Sequence, residues 1–336
     1  MTGGTGFTGS HTVAAFVEAG HEVRLLVRDR EKVRKVFDPR DIGIPEADVI
    51  VGDITDAASV KEAMAGCDAA FHCAALVDLR RSMAETVLQT NARGVDLVVG
   101  GAAERGLPSI VYVSSLSVFF EPGCGPLHPD MAIAPATTAY AQSKADAERK
   151  VRQLQDEGAS IRVSYPSGIV GPDDPGLTDA NHAIYSFFKD TGVTTSGGFQ
   201  IVDVRDVATL HLRLLELPPG PARYSAAGEF LSWAETYRLI DSLTGLRVSC
   251  PPVPGAALRT LGTLGDVVKR FYDFNFPLTR DSMEFATRWP GASAARTTED
   301  LGVSFRPSRE TYTDTLRWMF KAGHLVEKHV GRLAEA

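Results

Sequence analysis

The 336-residue chain lacks several features that would assign it to a secreted, metal-binding or nucleic-acid-binding class. Its four cysteines (Cys67, Cys73, Cys124 and Cys250) form no CxxC pair, which predicts free thiols in a reducing compartment. Its eight histidines show no HExxH or clustered spacing, so no metal is predicted. The net charge of −7 gives no global basic field that would attract nucleic acid or anionic lipid.

The chain also has no apolar run long enough to span a bilayer. The nearest candidate, residues 253–268, is interrupted by Arg259 and Asp266 and is predicted to form an amphipathic helix. No signal peptide is predicted, because glycines occupy the start of the chain, and the cytoplasm is the expected location. The length suggests two domains, or one large domain with an appended lobe.

The glycines at the start, Gly3, Gly6 and Gly9, follow one another at three-residue intervals and lead into a helical pattern. A glycine loop that enters a helix N-terminus presents backbone N–H groups to an anion, and the helix dipole favours negative charge there. A dinucleotide pyrophosphate is the natural occupant. The loop therefore predicts cofactor binding by these glycines together with Thr5 and Phe7.

One part of this fingerprint is absent, because it needs a strand before the first glycine. Only Met1 and Thr2 precede Gly3, whereas a typical strand has about 5–6 residues. The first strand is thus expected to be missing. Because that strand lies in the middle of the sheet, its loss would expose the edges of the neighbouring strands and reduce the buried apolar area. We therefore expect that the true start lies upstream, or that the chain is a truncated product.

The first half of the chain alternates short apolar runs with helical patterns. Candidate strands are 22–27, 48–51, 69–72, 109–113 and 160–165, and candidate helices are 57–65, 83–105 and 139–157. This alternation predicts an α/β fold with a doubly wound parallel sheet of the Rossmann type. Ligands of such sheets bind at the carboxyl ends of the strands, so the informative residues should follow each strand.

Two strand ends predict how the adenosine half of the cofactor is held. Arg28 ends one strand, and an arginine there would bind the 2′-phosphate of NADP, which favours NADP as the cofactor. The next residue, Asp29, could instead bond a ribose 2′-OH, so NAD stays an alternative. Asp53 follows the next strand and could bond the adenine amino group while Ile54 packs on the ring. The alternatives are a solvated charge at Arg28 and a simple helix cap at Asp56.

The strand at 69–72 ends in His72 and is followed by Cys73, Ala74 and Ala75. Small residues here would let the cofactor ribose approach the backbone. A lone histidine in this position is more often a satisfied strand residue than a catalyst, so His72 is predicted to be structural.

Tyr140 and Lys144 lie four residues apart at the start of a predicted helix and therefore on one face. A free phenol has a pKa of about 10 and a free ammonium of about 10.4. A fixed lysine cation, with a positive nicotinamide nearby, favours the phenolate and lowers the pKa of the tyrosine. Ser115, just after the strand at 109–113, would hold the substrate oxygen in line. Chance YxxxK matches are common, so the hypothesis depends on this serine and on the glycine loop.

Together these stretches resemble the extended short-chain dehydrogenase/reductases of the NAD-dependent epimerase/dehydratase family. The resemblance covers most of the chain and is carried by TGGTGFTG, VRLLVRD, GDITD, HCAA, QTNARG, VYVSS, YAQSK and YPSGIVGP. It is strongest toward the dihydroflavonol-reductase-like and 3β-hydroxysteroid-dehydrogenase-like branches. The resemblance implies that Ser115, Tyr140 and Lys144 are catalytic. It also implies that Asn91 supports the lysine through water and that Pro166 contacts the nicotinamide end.

Two departures from the family separate its branches. Dehydratases follow the catalytic serine or threonine with an Asp-Glu pair, but Leu116 and Ser117 stand here, which disfavours water elimination. Nucleotide-sugar epimerases carry an Arg-Tyr-Phe-Asn-like stretch where this chain has Ser-Tyr-Pro-Ser at 164–167. The resemblance thus implies an NAD(P)-dependent oxidoreductase acting on a ketone or secondary alcohol of a hydrophobic small molecule. An epimerase that holds NAD tightly and a non-catalytic NADP-sensing regulator stay open.

The predicted Rossmann domain covers residues 1–165, to which 199–216 return, and a smaller substrate-binding lobe covers 166–198 and 217–330. Within the lobe, 173–198 is expected to be loop-rich and 314–330 helical. Its aromatic residues could line an apolar pocket, although core positions are the commoner outcome; they are Phe187, Phe188, Phe271, Tyr272, Phe274 and Phe276. Relatives of this family often pair through the helices after the fourth and fifth strands, which leaves a homodimer open.

Overall fold

The structure is a computed structural model that describes residues 1–78, 80–136, 138–189, 192–269, 271–272 and 279–335. The strands are β1 (Leu25–Val27), β2 (Val49–Val51), β3 (Ala69–His72), β4 (Ser109–Val113), β5 (Ile161–Pro166), β6 (Gly168–Val170), β7 (Gly198–Asp203), β8 (Ala222–Ala226) and β9 (Phe230–Ser232). The helices of the first half are α1 (Phe7–Glu18), α2 (Arg30–Phe37), α3 (Ala57–Ala63), α4 (Ala84–Val95), α5 (Gly101–Glu104) and α6 (Ala139–Asp156). Those of the second half are α7 (Asp179–Lys189), α8 (Val204–Glu216), α9 (Trp233–Thr244), α10 (Gly255–Val268), α11 (Arg280–Arg288), α12 (Ala295–Leu301), α13 (Ser308–Lys321) and α14 (Glu327–Val330).

The main sheet is parallel throughout. β1 pairs with β2, and β3, β4, β5 and β8 pair in that order. Thr2 lies between the two groups, bridging Leu26 of β1 and His72 of β3 in parallel register. The resulting order, β2-β1-Thr2-β3-β4-β5-β8, is that of a doubly wound sheet of the Rossmann type. The predicted fold class is therefore confirmed.

Met1 and Thr2 occupy the mid-sheet position in which this fold has its first strand. The Thr2 amide donates to the Phe71 carbonyl (2.9 Å), and the Leu26 amide donates to the Met1 carbonyl (3.0 Å). The Cys73 amide in turn donates to the Thr2 carbonyl (3.3 Å). These bonds join β1 to β3 at the end of the sheet that carries the glycine loop.

Element boundaries follow the sequence patterns closely in the first half and less closely in the second. β3 and β4 have the predicted bounds, and the helix predicted over 83–105 is α4 and α5 joined by a π-helical turn at Asp96–Gly100. The expectation of a loop-rich 173–198 is wrong in part, because α7 forms there. The Asp-, Pro- and Gly-rich start of that segment concealed a helix whose Ile184 and Phe187 are buried.

Helices α1 and α8 cover one face of the main sheet, where Val13, Phe16, Leu210 and Leu214 are buried. Helices α4 and α6 cover the other face. β8 joins this sheet although its residues fall in the range predicted for the lobe. The division into a Rossmann domain and a lobe stays a prediction.

A further hydrophobic cluster lies in the second half of the chain, between α7, α9 and α13. Phe187 packs there against Tyr237 with ring centroids 5.2 Å apart, which fits the core interpretation of that aromatic residue. Phe271 and Tyr272 are exposed. Phe274 and Phe276 lie outside the described residues.

Candidate functional site

The glycine loop is shaped by close backbone approaches that exclude any side chain. Gly3 has a positive φ of 73°, and a Cβ there would lie 2.7 Å from the Ala74 amide nitrogen. A Cβ on Gly9 would lie 2.0 Å from the Gly3 carbonyl oxygen. The Gly6 amide donates to that same oxygen (3.0 Å). The loop is thereby folded tightly between the end of β3 and the start of α1.

The N-terminus of α1 is suited to an anion. Gly6 is its N-cap residue, and the described structure shows neither a side-chain cap on its first N–H groups nor an acidic residue in its first turn. Phe7 is buried with its ring edge-on to His11 (5.7 Å), and Thr5 is half-buried. Unpaired N–H groups at the positive end of a helix dipole fit a dinucleotide pyrophosphate.

At the end of β1, Arg28 is exposed and Asp29 caps α2, accepting a hydrogen bond from the Glu31 amide (2.9 Å). The Arg28 cation also acts on Asp53 at the end of β2. It helps to lower the pKa of that carboxyl group, after the larger contribution of two hydrogen bonds from Thr55. Arg28 is thus placed beside the predicted adenosine end, with Asp29 engaged in the helix cap.

Asp53 and Ile54 are both half-buried. Asp53 Oδ1 accepts hydrogen bonds from the Thr55 amide (2.8 Å) and the Thr55 hydroxyl (2.7 Å). Ile54 packs on α4, where a Cβ on Gly94 would come within 2.8 Å of its Cδ1. Asp56 caps α3, which agrees with the alternative interpretation that it is a simple helix cap. Adenine binding by Asp53 and Ile54 stays a prediction.

The end of β3 supplies a buried histidine and small residues. The His72 Nδ1 and the Thr2 hydroxyl are hydrogen-bonded at 2.7 Å, and the ring stacks on Tyr112 (6.0 Å). Burial lowers the pKa of His72 to about 3, so the imidazole is neutral, in agreement with the structural interpretation. Burial raises the pKa of the neighbouring Cys73 thiol to about 11. Ala74 and Ala75 then lead away from the point where Gly3 meets the strand.

Ser115 lies two residues beyond the end of β4 and caps a short 3-10 helix, Leu116–Phe119. Its Oγ accepts hydrogen bonds from the Ser117 hydroxyl (2.9 Å) and the Ser117 amide (3.2 Å). Because the oxygen accepts both bonds, the Ser115 proton can be donated to another acceptor. The hydroxyl is half-buried and suited to orient a substrate oxygen.

Tyr140 and Lys144 lie in the first two turns of α6, which begins after a Thr138 cap. The Lys144 Nζ donates to the Val113 carbonyl at the end of β4 (3.3 Å) and lies 5.8 Å from the centre of the Tyr112 ring. Burial raises the pKa of Tyr140 to about 12, with smaller contributions from Asp179 and Cys73. Without a bound cofactor the pKa of Tyr140 therefore lies above its ordinary value, and the lowering expected beside a lysine and a bound nicotinamide stays a prediction. The phenol therefore stays protonated.

Asn91 is buried in α4 and links two parts of the site. Its Oδ1 accepts from the Leu76 amide (2.7 Å), and its Nδ2 donates to the Leu76 carbonyl (3.0 Å) and to the Ser143 hydroxyl (3.0 Å). A small cavity lined by Asn91, Ser143, Lys144 and Tyr112 adjoins this contact and has space for about one water molecule. Asn91 thereby ties the loop after β3 to the start of α6.

Two residues at this site were missed from the sequence, Ser143 and Glu148. The Ser143 hydroxyl donates to the Tyr140 carbonyl (2.8 Å). Glu148 is fully buried and accepts hydrogen bonds from Ser114 (2.9 Å), Tyr165 (2.6 Å) and Arg152 (2.8 Å). The available signal was its spacing of four residues from Lys144, on a face otherwise made of small and apolar residues.

Pro166 ends β5 and is buried, and Ser167 follows it. The Ser167 hydroxyl is buried and has no hydrogen-bond partner within the described ranges. A buried hydroxyl of this kind calls for a polar partner, and the polar end of a nicotinamide would provide one. The residues at this strand end therefore fit the cofactor.

Among the described residues, no helix is both long enough and apolar enough to cross a membrane. No group of three or more histidine, cysteine, aspartate or glutamate side chains among them could hold a metal ion.

Comparisons with known proteins agree with this geometry. A protein from Synechocystis sp. with a provisional name as a dihydroflavonol 4-reductase is 26% identical, over 97% of this chain and 95% of its own. A 4-hydroxy-2-methyl-3-oxo-4-farnesyl-3,4-dihydroquinoline-1-oxide ketoreductase from Stigmatella aurantiaca is 27% identical, over 98% of both chains. The crystal structure of gox2253 superposes with a TM-score of 0.81 at 25% identity, covering 97% of this chain and 98% of that one.

The family profile that matches is described as the NAD dependent epimerase/dehydratase family, and it covers residues 1–227. That range includes the glycine loop, the ends of β1 to β5 and the first turns of α6. The resemblance inferred from the motifs is therefore confirmed, and the chain belongs to the NAD-dependent epimerase/dehydratase family.

Proposed function

We propose that the protein is an NAD(P)-dependent oxidoreductase that moves hydride between the nicotinamide and a ketone or secondary alcohol of a hydrophobic small molecule. The observation that carries the proposal is the bond from Lys144 to the Val113 carbonyl. It fixes the start of α6, with Tyr140, to the strand end that leads into Ser115. The family description and the name of the ketoreductase relative, which specifies a farnesyl-substituted compound, support the same reaction class.

Each residue of the candidate site has one role in the proposed reaction. Tyr140, protonated because its pKa is raised to about 12, donates a proton to the carbonyl oxygen during reduction. Ser115 donates a hydrogen bond to the same oxygen and fixes its direction. Lys144 holds the ribose and stabilises the phenolate that remains. When bound, the nicotinamide supplies or accepts the hydride, while Asn91 holds the neighbouring loop in place.

Replacement of the tyrosine tests this assignment. We expect Tyr140→Phe to lower turnover by about 10²–10⁴-fold, because the proton donor is lost, while cofactor affinity changes little. Turnover is measured by NADPH consumption across a panel of sterol and prenylated ketones. Tyr272→Phe, the same chemical change at an exposed residue, is the matched control and should leave turnover unchanged.

Near-normal turnover of Tyr140→Phe would show that the tyrosine is not the proton donor. Tightly held NAD with no net cofactor consumption would indicate an epimerase instead. Cofactor binding without turnover on any member of the panel would indicate a sensor.

The preference for NADP rests on Arg28. We expect NADP to raise the melting temperature more than NAD does, because the guanidinium meets the 2′-phosphate. Arg28→Gln should weaken NADP binding by about 10–100-fold and leave NAD binding unchanged. Arg34→Gln is the matched control, since Arg34 is an exposed arginine of the following helix that is already paired with Glu31 and Glu46. Equal loss of both cofactors in Arg28→Gln would contradict the 2′-phosphate contact.

A further inference from the structure

One side of α10 exposes apolar side chains from Leu261 to the end of the helix. The α10 outer face consists of Leu261, Leu264, Val267 and Val268, together with Phe271 and Tyr272 just beyond the helix. Their exposed fractions run from 45% to 79%. They are six of the ten large hydrophobic side chains that are exposed in the described part of the chain. The helix spacing places the four residues of α10 on one continuous surface.

The charged residues of α10 point the other way. The Arg259 guanidinium donates to the Thr287 hydroxyl (3.0 Å), and Asp266 accepts from the Arg280 amide (3.0 Å). Lys269 is buried. Gly262 faces α11 so closely that a Cβ would lie 2.5 Å from the Thr279 carbonyl oxygen. A helix on a water-exposed surface normally has the reverse arrangement, with apolar residues inward and charges outward. Because α10 inverts this pattern, its outer face is built for an apolar medium.

Two exposed threonines on this side of α10 use their hydroxyl protons within the helix. The Thr260 hydroxyl donates to the Ala256 carbonyl and the Thr263 hydroxyl to the Arg259 carbonyl, both at 3.0 Å. Each threonine therefore has no hydroxyl proton left to donate to a partner. Protein interfaces carry about one hydrogen bond per 100–200 Å² and a polar rim. Five of the six side chains of the α10 outer face have no polar atom, which favours hydrocarbon over another protein as its partner.

The helix that packs against the inner side of α10 carries exposed positive charge. One buried carboxylate, that of Glu284, is surrounded by three arginines of α10 and α11. They are Arg259, Arg280 and Arg288, with N–O distances of 3.9, 4.0 and 3.3 Å. Two of them keep much of their side chain in solvent, 66% for Arg280 and 45% for Arg288. An apolar helix face, together with exposed guanidinium groups on the helix packed against it, is complementary to a bilayer that carries anionic headgroups.

We propose that the α10 outer face docks the protein on the surface of an anionic phospholipid bilayer. Helix α10, Gly255–Val268, extends about 21 Å at 1.5 Å per residue. This length suits a helix that lies in the plane of the interface, with Tyr272 at the headgroup boundary. The net charge of −7 gives no global attraction, so the docking is local to this face. The proposal stands on α10 and α11 and does not depend on the reaction at Tyr140.

Vesicle flotation tests the docking. We expect the full chain to float with vesicles of equal parts phosphatidylcholine and phosphatidylglycerol, and less with phosphatidylcholine alone. Leu261→Glu and Leu264→Glu should each lower the bound fraction by at least about tenfold, because each loses the burial of a leucine side chain. Val326→Glu is the matched control, since Val326 is exposed to the same 48% as Leu261 but lies far along the chain. Melting curves confirm that each variant is folded.

A fluorescence measurement tests the docking without a variant that loses binding. Tyr272→Trp should show a blue shift of its fluorescence when anionic vesicles are added and none in buffer. Flotation of the leucine variants at the wild-type level, or no flotation of the wild type with either vesicle, would overturn the proposal. So would a wild-type dimer by light scattering that Leu264→Glu converts to a monomer, because a second copy would then cover the face.

Discussion

Helices α6 and α10 both turn charged residues toward the protein, yet their outer sides differ. The inner side of α6 carries Lys144 and Glu148, and its outer side exposes Asp146 and Arg149. The inner side of α10 carries Arg259 and Asp266, whereas the α10 outer face is apolar. The two helices therefore share an inner side that carries charge and differ in the composition of their outer sides.

The difference shows that the inner charges and the outer side chains of a helix are set by separate causes: the inner charges need partners within the protein, and the outer side chains match the surrounding medium. A buried charge costs several kcal/mol unless a partner satisfies it, so both helices hold their inner charges in hydrogen bonds and ion pairs. In α6 those charges anchor the strand ends that lead to Ser115 and Pro166. In α10 they only attach the helix to α11. The outer side is then free to match its medium, which is water for α6 and, we propose, lipid for α10.

The largest effect that would test this comparison is the removal of Glu148. Glu148→Ala leaves Arg152, Tyr165 and Ser114 without their shared acceptor in a fully buried place. We expect the free energy of unfolding to fall by about 3–5 kcal/mol, measured by urea denaturation. Turnover should fall as well, because Ser114 and Tyr165 directly precede Ser115 and Pro166.

The matched control is Asp146→Ala, two residues earlier on the outer side of α6. Asp146 pairs with Arg149 in solvent, and its loss should change stability by no more than about 0.5 kcal/mol. If Glu148→Ala were as mild as Asp146→Ala, the buried carboxylate would not anchor the strand ends, and the comparison of the two inner sides would fail.

The sequence predicted the first half of the molecule, where the candidate site residues come directly after strands. β3, β4 and the glycine loop lie where local patterns placed them, because a strand, a turn and a helix cap are each specified by a few adjacent residues. The position of Thr2 between Leu26 and His72 needed the structure, since strand pairing joins residues far apart in the chain.

Long-range contacts also explain what was missed. The Glu148 network joins residues 114, 148 and 165, and no local pattern connects them. The pKa of Tyr140 was expected to fall beside a lysine and a bound nicotinamide, but burial, which a sequence does not report, raises it to about 12 without the cofactor. The inverted orientation of α10 was hidden for a similar reason. Its apolar spacing predicted an amphipathic helix correctly, but which side faces the protein depends on Gly262 and α11.

A smaller effect tests the inner side of α10. Gly262→Ala places a methyl group 2.5 Å from the Thr279 carbonyl oxygen and 2.8 Å from Met283 Cγ, so the two helices must separate. We expect a loss of about 1–3 kcal/mol in the free energy of unfolding, measured by urea denaturation. The control is Gly101→Ala at the start of α5, where a Cβ meets nothing within 4 Å. That change should instead stabilise the helix by up to about 1 kcal/mol. Equal stability of the two variants would mean that α10 is not held to α11 by close glycine contact, and its outward apolar side would then need another cause.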